Sequence, residues 1–414
     1  MTGSGSRPRA RDLGGSATVA LVVTLAIQVY TSLAATATMV LVPEIARDLA
    51  LPATLIGLFV GLVYAGSMAA GLASGAFIGR YGAIRVSQVC VLFCAAGIAL
   101  VSTTASVAAM PAALLALLVG APVVMGWGYG PITPASSQVL ARTAPPAQMA
   151  LTFSIKQTGV PVGAALAGAA LPAIALAWGW RNALWAVSLA GIAVAIVAQP
   201  TRRALDADRD PTQSLSLASL VGPLRLVLST PVLVELALTA LVYAAMQVCL
   251  MSYLVVYLNG ALGFSLVLAG LGLTVANIGG IVGRIGWGMV ADRYVPPRRL
   301  LGLLGLAAGA GAGVTATFGP GWPLPAVLAV CAAFGATAIG WNGVQLAEVA
   351  RHAPAGRAGA VTGAVSFVTF GGVVIGPPTF ALLAAVTGSY RVGFVAFGSL
   401  SALLGVWLLV SQRR

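Results

Sequence analysis

Apolar residues run in blocks of roughly twenty along the whole chain, separated by short stretches that carry nearly all of the charge. A block of that length suffices for a helix to cross ~30 Å of hydrocarbon, and in lipid only helices or closed barrels satisfy their own backbone. The ~10-residue alternation of a barrel strand is absent. Twelve spanning helices are predicted, near residues 17–42, 53–78, 86–107, 112–141, 147–177, 182–199, 230–258, 265–291, 300–318, 325–350, 358–386 and 391–410. The longest polar stretch, Pro200 to Arg225, falls between spans six and seven. It divides the chain into an N-terminal tail (1–16), a six-helix bundle (17–199), a linker (200–229), a second six-helix bundle (230–410) and a short tail (411–414).

Composition agrees with this all-α integral membrane reading. Of the 414 residues, 59% are hydrophobic and only 7% charged, which is incompatible with a soluble core inside a solvated surface. The net charge of +13 would suit a nucleic-acid partner, but the arginines follow the loops and form no single patch. With the N-terminus in the cytoplasm, Arg7, Arg9, Arg11, Arg80, Arg85, Arg142, Arg202, Arg203, Arg209, Arg225, Arg293, Arg298, Arg299, Arg351, Arg357, Arg413 and Arg414 face inward. Only Arg47, Arg181 and Arg391 face outward, so both termini are expected in the cytoplasm of a bacterial inner membrane. The first span lacks a cleavage pattern and reads as a retained helix. Cys90, Cys94, Cys249 and Cys331 lie in apolar spans, so neither a disulfide nor a metal site is expected, and nothing calls for a cofactor.

The two halves are related. A shift of 213 residues superposes Tyr30 on Tyr243, Gly57 on Gly270, Gly66 on Gly279, Gly75 on Gly288, Arg80 on Arg293 and Arg85 on Arg298. Parallel six-span repeats of this kind put a binding site near the midplane, between the halves. The second copy, Gly288-Met-Val-Ala-Asp292-Arg293 with Arg298, resembles the loop motif of the major facilitator superfamily. In the first copy, Gly75 to Arg85 with Gly82, Gly79 stands where that family has aspartate. The aromatic-arginine pairs Trp180-Arg181 and Tyr390-Arg391 also match the family's habit. The resemblance implies alternating access by a monomer, with Gly75, Arg80, Gly82, Arg85, Gly288, Asp292 and Arg293 serving conformational change. For Arg80 and Arg85, plain topological anchoring is an equal reading.

The only lysine, Lys156, lies inside span five, and Arg284 lies inside span eight. A buried cation costs at least ~2.5–3.5 kcal/mol on insertion scales and by default marks function. At ~1.5 Å per residue, Lys156 is about 16 Å from Pro145 and Arg284 about 12 Å from Asp292, so their depths are similar. In the family's fold, helices five and eight are neighbours, which would bring both cations to one cavity. Like charges there become favourable when an anion enters between them. The run from Arg284 to Asp292 is also similar to span eight of monocarboxylate transporters and oxalate/formate antiporters, whose arginine binds a carboxylate. The packing alternatives are an arginine capping carbonyls or reaching the interface, and a lysine bonded to backbone.

Further lining candidates are Gln28, Tyr30, Tyr243, Gln247, Asn277, Trp341, Asn342 and Gln345, for each of which interhelical packing is the competing role. Interrupted runs, Gly126 to Pro134 in span four and Gly340 to Gly343 in span ten, point to the same centre. In span five, Gly159-Val-Pro161-Val-Gly163 should loosen the helix. It resembles, incompletely, a motif of drug/proton antiporters. Of nine acidic residues only Glu235 and Glu348 approach the spans, so proton coupling, if present, has these, Lys156 or the substrate as carrier. No P-loop or metal-protease motif occurs, and no enzyme is expected. The sequence therefore points to a secondary transporter of a small organic anion, a carboxylate by preference, coupled to protons, exchanged against a counter-anion, or uncoupled. Amphipathic-drug efflux and a non-transporting receptor are the alternatives.

Overall fold

The computed structural model describes residues 10–50, 55–215, 217–264, 266–319 and 321–411. Arg7, Arg9, Arg413 and Arg414, counted above as inward-facing, lie outside the described residues. Every regular element that is described is helical. Among the described residues, twelve helices are long and apolar enough to cross a membrane: Ala17–Leu41, Phe59–Tyr81, Ala83–Thr103, Pro111–Thr143, Pro146–Trp178, Trp180–Leu205, Pro231–Ala261, Leu268–Arg293, Pro297–Ala316, Leu324–His352, Ala358–Thr387 and Tyr390–Val410. These are spans one to twelve, and each overlaps its predicted counterpart. The bilayer, not the protein core, takes up much of their apolar surface. Leu176, Ile196 and Val197 are largely exposed, as lipid-facing residues should be.

Among the described residues, three spans are broken in mid-course by a turn. Span four breaks after Tyr129 and resumes at Ile132, because Pro131 brings no amide to the ladder. Span ten breaks after Ala338 and resumes at Asn342, and span five breaks at Thr158 between Gln157 and Gly159. The break in span five falls directly before the Gly-Pro run, where Pro161 leaves the Gln157 carbonyl without an amide partner.

Within the first six spans, span one packs on the outer part of span five, span two on span four, and span three on span six. Within the last six, span seven packs on span eleven, eight on ten, and nine on twelve. The two bundles meet where span two crosses span eleven and where the short helix Met149–Gln157 of span five rests on spans eight and ten. These contacts gather on one face, that of the linker. The linker itself carries an amphipathic helix, Leu217–Ser229, with Val221 and Leu228 exposed. On the opposite face Asp48 accepts hydrogen bonds from Arg181 (2.9 Å) and from the Trp180 indole (3.1 Å). These bonds hold its carboxyl below the usual carboxylate range.

Candidate functional site: a cavity between the bundles

Both motif glycines sit where the bundles touch. A Cβ at Gly75 would fall 2.6 Å from the Cα of Ala360, and one at Gly288 would fall 2.9 Å from the Cα of Leu151. Only glycine permits these approaches. Asp292 accepts from the amides of Ala150 (3.0 Å) and Leu151 (2.8 Å), the N-terminal turn of the short helix in span five, and pairs with Arg351 (3.1 Å). A carboxylate on free helix-start amides is favoured both by hydrogen bonding and by the helix dipole. Arg80 donates to the Gln213 carbonyl and stacks near Tyr81, while the Arg85 amide donates to Asp206. Gly82 has φ +94°, which admits the close approach of Asp206. The side chains of Arg85 and Arg293 are exposed.

Above this closed face lies a cavity of about 140 Å³ lined from both bundles. One wall is aromatic: Tyr64, Tyr129 and Phe370, with ring centroids 6.4 and 5.7 Å from Tyr64. The other wall is polar. Gln247 Oε1 accepts from the Trp341 indole (3.2 Å) and from Asn342 (3.0 Å), and Gln345 donates to the Leu236 carbonyl. Thr133, Gln157, Arg284, Ser366 and Thr369 complete the polar lining.

Lys156 and Arg284 are 1% and 2% exposed, and they converge on one residue. Lys156 Nζ donates to Gln157 Oε1 (3.1 Å) and to Gln28 Oε1 (2.6 Å), whereas Arg284 Nη1 donates to the Gln157 carbonyl. Arg284 Nε reaches the Ile339 carbonyl at 3.1 Å. The guanidinium thus caps carbonyls freed by the breaks in spans five and ten, so the carbonyl-capping alternative raised for Arg284 is realised. Two of its five N–H groups are used in this way, and it still lines the cavity. Lys156 stands one layer behind Gln157. No carboxylate pairs with either cation among the described residues.

The remaining candidates divide. Gln247, Trp341, Asn342 and Gln345 line the cavity, and Gln28 holds Lys156 from behind it. Tyr30 and Tyr243 do not line it. The Tyr243 hydroxyl donates to the Leu301 carbonyl (2.7 Å) beside Gly305, and Tyr30 is turned towards Gly191. Each ring fills space that a glycine leaves in its own bundle, which is the packing alternative. Asn277 is also off the lining, bonded to the Leu273 carbonyl of its own helix. Glu235 pairs with Arg298, and Glu348 pairs with Arg351 and His352, all towards the linker face. Tyr30→Phe should leave the melting temperature unchanged or raise it, because its hydroxyl has no partner among the described residues. Tyr243→Phe should cost about 1 kcal/mol in the same thermal melt.

Sequence reasoning missed Gln157, Thr133, Ser366, Thr369, Tyr64 and Tyr129. A signal existed for three of them. Arg142 and Arg351 pair at an offset of 209, and the same offset pairs Thr133 with Asn342 and Gln157 with Ser366.

A sequence profile of the Major Facilitator Superfamily matches residues 24–377. The chain belongs to that superfamily. No curated relative matches it in sequence. Solved facilitator structures share the fold. The E. coli fucose:proton symporter FucP superposes with a TM-score of 0.74 at 14% identity, covering 95% of this chain and 99% of that one. A bacterial homologue of the iron transporter ferroportin, in an outward-facing state, gives 0.74 at 16% identity over 95% and 99%. The human organic anion transporter MFSD10 (TETRAN) gives 0.67 at 17% identity over 97% and 100%. As a facilitator protein, the chain is a transporter and not an enzyme.

Proposed function

We propose that this protein carries a small organic anion, a carboxylate, held against Arg284 in the central cavity, with Lys156 adding its charge from one layer behind Gln157. The observation that carries the reading is the convergence of two buried cations on Gln157, with no carboxylate paired to either among the described residues. An entering anion would relieve their repulsion, and the unused guanidinium N–H groups could take its oxygens in a fork. The volume supports a small cargo. About 140 Å³ is near the size that admits a benzene ring and below the ~300–1,000 Å³ of pockets for drug-sized ligands. That weighs against amphipathic-drug efflux.

The positive-inside pattern supports a cytoplasmic linker face and cytoplasmic termini in a bacterial inner membrane. On that assignment the structure is closed towards the cytoplasm. The chain would divide at its linker into bundles 17–199 and 230–410 and act as a monomer. Protons or a counter-anion are the candidate coupling partners.

Uptake of labelled mono- and dicarboxylates into proteoliposomes tests the proposal. Uptake of at least one of them is expected, and Arg284→Ala should reduce it at least tenfold. Parental uptake by folded Arg284→Ala and Lys156→Ala variants would sink the binding site.

A further inference from the structure

The two bundles are fastened on the linker face by two different devices, although the repeat would make them alike. One is Asp292, seated on the amides of Ala150 and Leu151 and paired with Arg351. In the other half the matching position is Gly79, the matching helix start is that of span eleven, and the matching arginine is Arg142. Gly79 offers no carboxylate. The start of span eleven is nevertheless capped, by Gln138 Oε1, which accepts from the Gly359 amide at 3.0 Å. Gln138 Nε2 in turn donates to Asp208 Oδ2 and to the Gly356 carbonyl, both at 2.9 Å. Asp208 pairs with Arg142 at 2.5 Å.

Asp208 belongs to the linker, and the linker is tied down on both sides of it. Asp206 accepts from the amides of Ile84 (2.7 Å) and Arg85 (3.0 Å). The Asp210 amide donates to the Gly79 carbonyl at 2.7 Å. The Gln213 side chain fills the space a side chain at 79 would need, its Cδ lying 2.8 Å from an ideal Cβ there.

We propose that the linker supplies the carboxylate missing at position 79. Asp208, held by Arg142 and acting through Gln138, latches span four to the start of span eleven and keeps the linker face closed. The parts correspond one for one with the Asp292 device, since each has a carboxylate, an arginine from the end of span four or ten, and a capped helix start. The added Gln138 spans the extra distance. A carboxamide whose N–H is bound to a carboxylate is a stronger acceptor at its oxygen, so the charge of Asp208 is felt at the Gly359 amide. The linker therefore takes part in setting the ratio of open to closed states as well as joining the bundles.

Spin labels at Tyr81→Cys and Ala355→Cys, both exposed and on opposite bundles, read that ratio in the full-length purified protein without any substrate. The four native cysteines are buried. Pulsed dipolar spectroscopy of the parent should give a dominant short distance. Asp208→Ala and Gln138→Leu should each raise the longer-distance population about tenfold relative to the short one, the change expected for loss of one charge-assisted hydrogen bond. Adding Gly79→Asp with Gln213→Ala to the Asp208→Ala protein should restore the short distance. Parental distributions in both single variants would overturn the latch. Opening that persists in the triple variant would overturn the replacement of the position-79 carboxylate.

Discussion

Lys156→Met is expected to give a folded protein that has lost at least 99% of its anion uptake. Methionine nearly matches the lysine stem in volume, so the packing around span five survives. Removing a cation that is 1% exposed also removes its desolvation cost, which for a buried ion is several kcal/mol. Against this stand the oxygens of Gln28 and Gln157, each of which loses a donor at a cost of about 1–3 kcal/mol. The two terms are of similar size, so the melting temperature should stay close to the parent's. Transport has no such offset. A unit charge about 5 Å from a carboxylate at an effective dielectric of about 20 contributes ~3 kcal/mol, or roughly a hundredfold in binding. Thermal melts with proteoliposome uptake separate the outcomes. A stable variant that transports at more than a tenth of the parental rate would show that Lys156 packs the helix and does not serve the anion.

The second large effect falls on Asp292→Ala, which should open the linker face. The carboxylate is 4% exposed and makes three interactions, two with helix-start amides of the opposite bundle and one with Arg351. Losing them costs the closed state ~2–4 kcal/mol, while an open state in which span five has withdrawn loses little. Closed and open populations should therefore shift by about thirty- to a thousandfold. Spin labels at Gln148→Cys and Tyr294→Cys, exposed on either side of this contact, report the change as a longer distance. Asp292→Asn keeps one acceptor oxygen and should fall between the two. An unchanged distance in Asp292→Ala would mean that glycine packing alone closes this face.

The sequence carried the fold because lipid leaves few options. Once each apolar block must be a helix, the twelve spans follow, and the Gly75 and Gly288 matches mark where helices of opposite bundles cross. Depth was legible too, since 1.5 Å per residue brings Lys156 and Arg284 to one level. Direction was not. A tyrosine at helical spacing looks the same whether it turns into the cavity, as Tyr64 does, or towards a glycine of its own bundle, as Tyr30 and Tyr243 do. Gln157 was hidden for a related reason. Its carbonyl is free for Arg284 because Pro161, four residues on, has no amide to bond it, and its long side chain reaches back to its sequence neighbour Lys156. The latch on span eleven was invisible because it runs through Asp208, a residue whose neighbourhood in the linker has no periodicity to read.

Arg284 holds the free carbonyls of two broken helices at once, one in each bundle. Those interruptions therefore behave as a single joint with a shared pin. An oxyanion that draws the guanidinium towards itself must loosen the pin, and the backbone around Thr158 and Gly340 would register cargo before either bundle turns. Amide hydrogen exchange at those two positions is then a sensor of occupancy in its own right, readable without knowing what the cargo is.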